Sequence, residues 1–570
     1  MYCFLTIFAL ISLKEADNLR LGDGSSGILA NTKYGTISGK VFSTPSAKEF
    51  YAFLDIPYAS PPIGKLRFQK PLPPEPWKEV LNATENTKIC WQLRLRSEKV
   101  ENDPRENEDC LYLNVYVPKD PSENEPLAVM VYIHGGMFSF NDGTFKSYKP
   151  YNFVERDIIM VSFNFRQGPL GFLTTNDSVI PGNVGLWDQN IALKWVQQNI
   201  EAFGGDPKKV TLMGHSSGAV SVTFHMLSKQ SAGLFSGAIA ESGAGIHQPK
   251  LQSFPKYFAY KLAHAIDPKM GEHNSSAELL AFLLSVSPSI ISNITKLYPD
   301  PKYDNRILAG VGTEIVWLPV LESSEDENAF LKAPLHDNLK DGNFNQVSVL
   351  AGITSEEDAF RVSSWTKENT LTVDKNPELV YDRMTGIKEE NKAAFWQELK
   401  AVYTKEPFHK NFTGLIKMKG DLRFSNPVIR FADLASRYVD VYFYQFSYFG
   451  EMNANRDVLD EEGLGKAAHC AELPYLMYYE MDGDTKTYPK SDIRMRHILS
   501  DLFANFIKYQ NPTPKRDSRL QNIIWPKLNS NTLLYLDIDD NLTIKENPRY
   551  YRQCRTIFDK YYEHPLTQLN

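Results

Sequence analysis

Six short apolar runs, each bounded by turn-forming residues, set the rhythm of the chain: Leu127–Ile133 (LAVMVYI), Ile158–Phe165 (IIMVSFNF), Val210–Met213 (VTLM), Gly237–Ala240 (GAIA), Val347–Gly352 (VSVLAG) and Val441–Phe446 (VYFYQF). A strand made from such a run is buried on both faces, which is the pattern of a parallel sheet covered above and below. Helical patterns lie between several of them. GLWDQNIALKWVQQNI brings Ile191, Trp195 and Ile200 near one face, and GAVSVTFHML follows a glycine-serine turn. Strands alternating with helices predict an α/β fold with a large, mostly parallel central sheet and helices on both faces. The stretch from Gln248 to Gln346 breaks the rhythm and is expected to form helical insertions. Pro57–Trp77 is proline-rich but carries aromatics, which predicts an ordered surface strap. Apolar residues at Ile493, Ile498, Leu502, Phe506 and Ile507 predict an amphipathic helix over Asp492–Tyr509 that packs on the core.

With 570 residues and 42% hydrophobic content, the chain can bury a large core. A net charge of −7 without a dense Lys/Arg patch argues against a nucleic-acid partner. Tyr2–Leu13 is an apolar run of signal-peptide length, too short to span a bilayer, although a basic leading segment and a clean cleavage site are both missing. The expectation is a signal peptide over residues 1–16, then one domain over 17–570 without a membrane anchor; a buried N-terminal strand or helix is the alternative. Acceptor sequons at Asn82, Asn176, Asn274, Asn293, Asn411 and Asn541 favour secretion. No Cys-x-x-Cys pair and no His/Cys cluster has zinc-site spacing, so no metal site and no cofactor are expected.

The chemistry concentrates in VTLMGHSSGAV, Val210–Val220. A serine hydroxyl needs a base to take its proton and a backbone that exposes it. Gly-x-Ser-x-Gly between a strand and a helix supplies the exposure, because the turn is too tight for side chains at its flanks. Ser216 is the central serine. An oxyanion formed there needs N–H donors: one from Ser217 at the start of the following helix, the others from a glycine-rich loop after an earlier strand. VYIHGGMF, with His134-Gly135-Gly136-Met137 after its strand, has that form. The base should lie late in the chain. His409, His469, His497 and His564 are the candidates; His497 falls in the amphipathic helix and His564 at the terminus, which leaves His409 and His469 in loop-like segments. For the acid, AGITSEEDAF places Glu356, Glu357 and Asp358 just past a strand end. Spacing does not choose among the three.

Taken together the chain resembles the type-B carboxylesterase and cholinesterase family of α/β-hydrolases from about Thr32 to Phe558. The blocks that carry the resemblance are FLDIPYASPPIGKLRF, NEDCLYLNVYVP, VYIHGGMFSF, SFNFRQGPLGFL, PGNVGLWDQNIALKWVQQNIEAFGGDPKKVTLMGHSSGAVSV, VLAGITSEEDAF and AAHCAELPYL, in that order. The resemblance implies an α/β-hydrolase fold and a serine carboxylesterase acting on small-molecule esters, as a monomer or homodimer. It implies Ser216 as nucleophile, Glu357 as the acid, His469 as the base, and Gly136, Met137 and Ser217 as oxyanion donors. Cys90 and Cys110 fall on the family's first disulfide, a short loop whose closure is worth roughly 3 kcal/mol in an oxidising compartment. Cysteines for the usual second bridge are missing, so Asp267–Ser285 must be held otherwise.

Three residues depart from the family's pattern. Met137 stands where glycine or alanine is usual and should line the acyl pocket. Ser217 replaces alanine, keeping the N–H, with no role assigned to its hydroxyl. Asp358 replaces glycine and places a charge beside Glu357, which would raise the pKa of the histidine. Among narrower readings, acetylcholinesterase would want a choline-stacking tryptophan deep in the first disulfide loop, whereas Trp91 adjoins Cys90. A juvenile-hormone-esterase-like enzyme typically has glutamine before the nucleophile, where this chain has His215, a residue read as structural. An odorant- or pheromone-degrading esterase is a further alternative, and a non-catalytic, neuroligin-like adhesion protein is disfavoured by the complete triad. An insect-type secreted carboxylesterase is the reading preferred.

Overall fold

The computed structural model describes residues 19–21, 28–93, 103–122, 125–246, 251–252, 254–293, 316–322, 327–364, 367–376, 387–456, 464–465, 467–477 and 487–561. The expected signal peptide and His564 lie outside these residues. Eight strands form the centre of a 14-stranded sheet: β1 Tyr112–Pro118, β2 Leu127–Ile133, β3 Ile159–Phe163, β4 Gly205–His215, β5 Gly237–Glu241, β6 Ser348–Thr354, β7 Val441–Phe446 and β8 Leu534–Ile538. Their spatial order is β1-β3-β2-β4-β5-β6-β7-β8. Every pair from β3 to β8 is parallel, while β1 runs antiparallel to β3. Antiparallel strands over Ile28–Pro57 extend one side and Leu542–Glu546 the other. These outer strands carry mixed buried and exposed residues, so no continuous apolar run marks them in the sequence.

Why the central runs are continuously apolar is visible in β2. Val129, Val131 and Ile133 enter one core cluster, and Ala128, Met130 and Tyr132 enter another on the opposite face. Successive side chains point to opposite faces, and both faces are covered. Helix α1 (Val184–Asn199), α2 (Ser217–Leu227) and α3 (Asn426–Ala435) build the first cluster. Helix α4 (Lys490–Tyr509) builds the second with Met495, Ile498, Leu499, Leu502, Phe503, Phe506 and Ile507. Ile493 departs from the expected stripe. It is exposed, while Asp492 beside it is the buried residue of the first turn, bonded to the Tyr448 hydroxyl and the Met452 N–H.

The region after Gln248 forms the expected helices, over Pro255–Ile266, Ser276–Ser285, Pro288–Ser292 and Leu335–Lys340. The segment without a second disulfide is held by hydrogen bonds. Ser275 and Glu278 make a reciprocal capping box at the start of its helix. Arg67 donates to the carbonyls of Leu283 and Val286 at 2.9 and 2.7 Å while paired with Glu108. Cys90 and Cys110 are bonded, whereas Cys470 and Cys554 are free thiols in different surroundings; Cys554 is buried beside the Tyr403 hydroxyl. No helix among the described residues is long and apolar enough to cross a membrane. Of the sequon asparagines, Asn82, Asn176 and Asn541 are exposed, and Asn411 caps a helix by accepting from the Gly414 N–H.

Candidate active site

Parallel strands end on one edge of the sheet, and the singled-out residues gather there. Ser216 follows β4 directly, and its φ of 58° and ψ of −122° put it in a conformation side chains rarely adopt. The strain is held from both sides. Its N–H donates to the Glu241 carbonyl at the end of β5 (2.8 Å), and its carbonyl accepts from Val220 in α2 (3.0 Å). A Cβ on Gly218 would sit 2.1 Å from the Ile133 carbonyl oxygen, so only glycine lets α2 close against β2.

The loop after β2 touches this turn. Gly136, Met137 and Phe138 all have positive φ, at 115°, 59° and 58°. A Cβ on Gly136 would lie 1.9 Å from the Phe140 carbonyl oxygen. The Gly136 carbonyl accepts from Ser139 and Phe140, which folds the loop back and leaves the partly exposed Gly136 and Met137 N–H groups without an acceptor among the described residues. The Ser217 hydroxyl has a partner after all: it accepts from the Phe138 N–H at 3.4 Å and links loop to turn.

Past β6 the acidic triplet separates in three directions. Glu356 faces Arg549 and Lys417 at 3.4 and 3.9 Å. Asp358, fully buried, faces Arg361 and Arg423 at 3.8 and 3.6 Å, so its charge is set against two guanidinium groups. Glu357 alone turns to a histidine: its Oε2 lies 2.7 Å from Nδ1 of His469. Its Oε1 accepts from the Ser242 hydroxyl at 2.7 Å and from the Thr354 N–H at 2.9 Å. The two segments run side by side, with Glu356 N–H on the Ala467 carbonyl and His469 N–H on the Glu357 carbonyl. His409 is elsewhere, paired with Asp374 at 2.8 Å, and His497 is an exposed residue of α4 beside Arg156.

Rings and buried acids crowd His469. Phe424, His215 and Phe360 have ring centroids 4.5, 4.7 and 5.7 Å from it. The 4.7 Å contact joins the halves of the site, since His215 immediately precedes Ser216. His215 is buried, and burial followed by the neighbouring His469 holds its pKa well below the ordinary range. Two further carboxyls escaped notice in the sequence. Glu241 at the end of β5 and Glu472 beyond His469 are fully buried; burial, and then the charge of Glu357, push Glu472 up to about 8. For Glu241, burial and then Glu472 raise the value well above the usual range. Glu472 stands three residues after His469, and a glutamate in an otherwise apolar segment (ELPYL) was the signal available.

Known proteins resemble this chain over most of its length. Juvenile hormone esterase of Tribolium castaneum is 32% identical over 533 residues, covering 88% of this chain and 86% of that protein. Esterase B1 of Culex pipiens is 32% identical over 500 residues, covering 85% and 89%. Acetylcholinesterase 1 of Caenorhabditis briggsae is 30% identical over 578 residues, covering 95% and 86%. The crystal structure of juvenile hormone esterase from Manduca sexta, with OTFP covalently attached, superposes with a TM-score of 0.79 at 27% identity, covering 94% of this chain and 99% of that one. The profile of the Carboxylesterase family matches residues 26–556. With an α/β-hydrolase sheet carrying these groups on one edge, the chain belongs to the carboxylesterase family and is a carboxylic ester hydrolase.

Proposed function

We propose that the chain hydrolyses carboxylic esters through an acyl-enzyme formed on Ser216. The observation that carries this reading is the Glu357–His469 contact of 2.7 Å beside a strained serine at a strand end. His469, with Nδ1 held by Glu357, keeps its Nε2 lone pair for the Ser216 proton. Ser216 Oγ attacks the ester carbonyl, and the negative oxygen is stabilised by the N–H groups of Gly136, Met137 and Ser217, the last at the positive end of α2. His469 returns the proton to the departing alcohol. It then deprotonates water, which attacks the acyl carbon and frees the acid. Met137, beside these donors, lines the acyl side and limits its bulk.

Ser216→Ala tests the reading: hydrolysis of a simple aryl ester should fall by about 10⁴-fold or more, and covalent labelling by an organophosphate should vanish. Full activity in that variant overturns the assignment. Names of two relatives favour juvenile hormone as a second substrate to try, while His215 before the nucleophile favours the general esterase. A screen over acyl chain length that includes juvenile hormone and acetylcholine separates them. We further infer an exported single-domain enzyme over residues 17–570, supported by the Cys90–Cys110 bond and the exposed sequons at Asn82, Asn176 and Asn541. Mass shift on deglycosylation of the secreted protein checks it.

A further inference from the structure

One cluster at the site joins the proposed base, His469, to two groups that the ester chemistry as derived does not use, His215 and Cys470. His215, His469 and Cys470 each offer a ligand atom, and the three atoms lie within 4.8 Å of one another. His215 Nδ1 is 3.9 Å from the Cys470 sulfur, and the two imidazole rings are 4.7 Å apart. Nε2 of the buried His215 has no hydrogen-bond partner among the described residues, so a ligand nitrogen stands uncommitted inside the site. Cys470 is partly exposed, and its φ of 72° is imposed by the turn that carries His469. No spacing in the sequence signals the group, since His215 comes from the nucleophile turn and the other two from a segment some 250 residues later.

Two imidazoles and one thiol are the donor set of an open zinc site, with a fourth position left for water. Bond lengths of about 2.0 Å to nitrogen and 2.3 Å to sulfur bring tetrahedral ligand atoms to about 3.5 Å of each other, against 3.9 Å for His215 Nδ1 and the Cys470 sulfur and at most 4.8 Å for any pair here, a gap within reach of side-chain rotation. Thiolate selects zinc or cadmium over magnesium or calcium.

We propose that His215, His469 and Cys470 form a binding site for a thiophilic divalent cation, zinc or cadmium, and that the bound cation blocks ester hydrolysis. On binding, the Cys470 thiol releases its proton to solvent and the sulfur donates to the metal. The block follows at either nitrogen of His469: a cation at Nδ1 displaces Glu357, and one at Nε2 takes the lone pair needed for Ser216. Binding stands on the cluster alone; the block rests on His469 being the base.

The test is equilibrium dialysis of cadmium and zinc against the intact protein, with ultraviolet absorption for the cadmium–thiolate band and each variant's hydrolysis scaled to its own rate in chelator. Wild type should bind one cation per chain, show the band and lose its rate as the site fills. Cys470→Gly, which suits the positive φ, should lose the band and bind more than about 100-fold more weakly, since removing even an outer-shell partner costs 10–100-fold. His215→Gln should weaken binding comparably while keeping the band. Equal binding or equal inhibition in Cys470→Gly overturns the proposal. Cysteine-dependent binding without loss of rate overturns the block and, with it, His469 as the base, while the cation site stands. Hydrolysis persisting in Ser216→Ala overturns the function assigned above and leaves the dialysis result intact.

Discussion

The two halves of the site are built by different physics. Around Ser216 the work is done by backbone: positive φ at Gly136, Met137, Phe138 and Ser216, and glycines pressed against carbonyls. Around His469 it is done by side chains from distant segments, with Glu357, Ser242, Phe424, Phe360 and His215 arranged about one ring. A backbone device fails when a Cβ is added to it. A side-chain device fails when a charge or a hydrogen bond is removed, and its failure shows in how rate depends on pH.

The sharpest blow to the side-chain half is Glu357→Gln. The amide keeps the shape but cannot hold the same imidazole tautomer or stabilise the imidazolium, so kcat for an aryl ester should fall by roughly 10³–10⁴-fold with little change in fold. Circular dichroism and steady-state kinetics check both parts. Next in size comes Gly136→Ala in the backbone half. Its Cβ would meet the Phe140 carbonyl oxygen at 1.9 Å, so the loop must shift and carry the proposed oxyanion donors with it. Losing one donor costs about 10²–10³-fold in kcat. If Gly136→Ala kept full kcat, the loop would not be the oxyanion site, and the contrast between the halves would fail.

This contrast also explains what could be read from the sequence. Backbone demands leave local traces, so Gly214-His215-Ser216-Ser217-Gly218 and His134-Gly135-Gly136-Met137 stood out, as did β2 and β7, whose limits match the apolar runs to the residue. Side-chain partners brought together by folding leave none. Three neighbouring acids, Glu356, Glu357 and Asp358, look alike until the partners of each are placed, and only resemblance to the family separated them. Asp358 was expected to act on the histidine, yet Arg361 and Arg423 stand opposite it. Glu241 and the contact of His215 with Cys470 leave no trace for the same reason, and Glu472 leaves only a lone glutamate in an apolar segment.

A smaller effect isolates the support behind Glu357. Ser242→Ala removes one hydrogen bond to the carboxylate and leaves the Thr354 N–H in place. A hydrogen bond to a charged group is worth about 1.5–3 kcal/mol, which bounds the loss in kcat at roughly 10–100-fold. The loss should fall on kcat with KM unchanged, because Ser242 orients an acid that does not touch substrate. A change confined to KM would mean that the hydroxyl shapes the pocket instead.

The gentlest test concerns stability and sets the electrostatic cost of the side-chain half. Glu472 ionises near 4.5 when unfolded but at about 8 in the fold, because burial and then Glu357 oppose its charge. Between those values the native state holds a proton that the unfolded state has lost, so this group makes stability fall as pH rises from about 5 to 8. Glu472→Gln imitates the protonated acid at every pH and removes the dependence. Melting temperatures of the two proteins should therefore agree near pH 5 and diverge by about a few degrees by pH 8.5, with the variant the more stable. Parallel curves would mean that Glu472 is relieved by a partner in the fold and that the acids around His469 cost less than their burial suggests. Divergence would show that Glu472 has no counterpart in the fold to the ring, hydroxyl and backbone N–H that Glu357 meets.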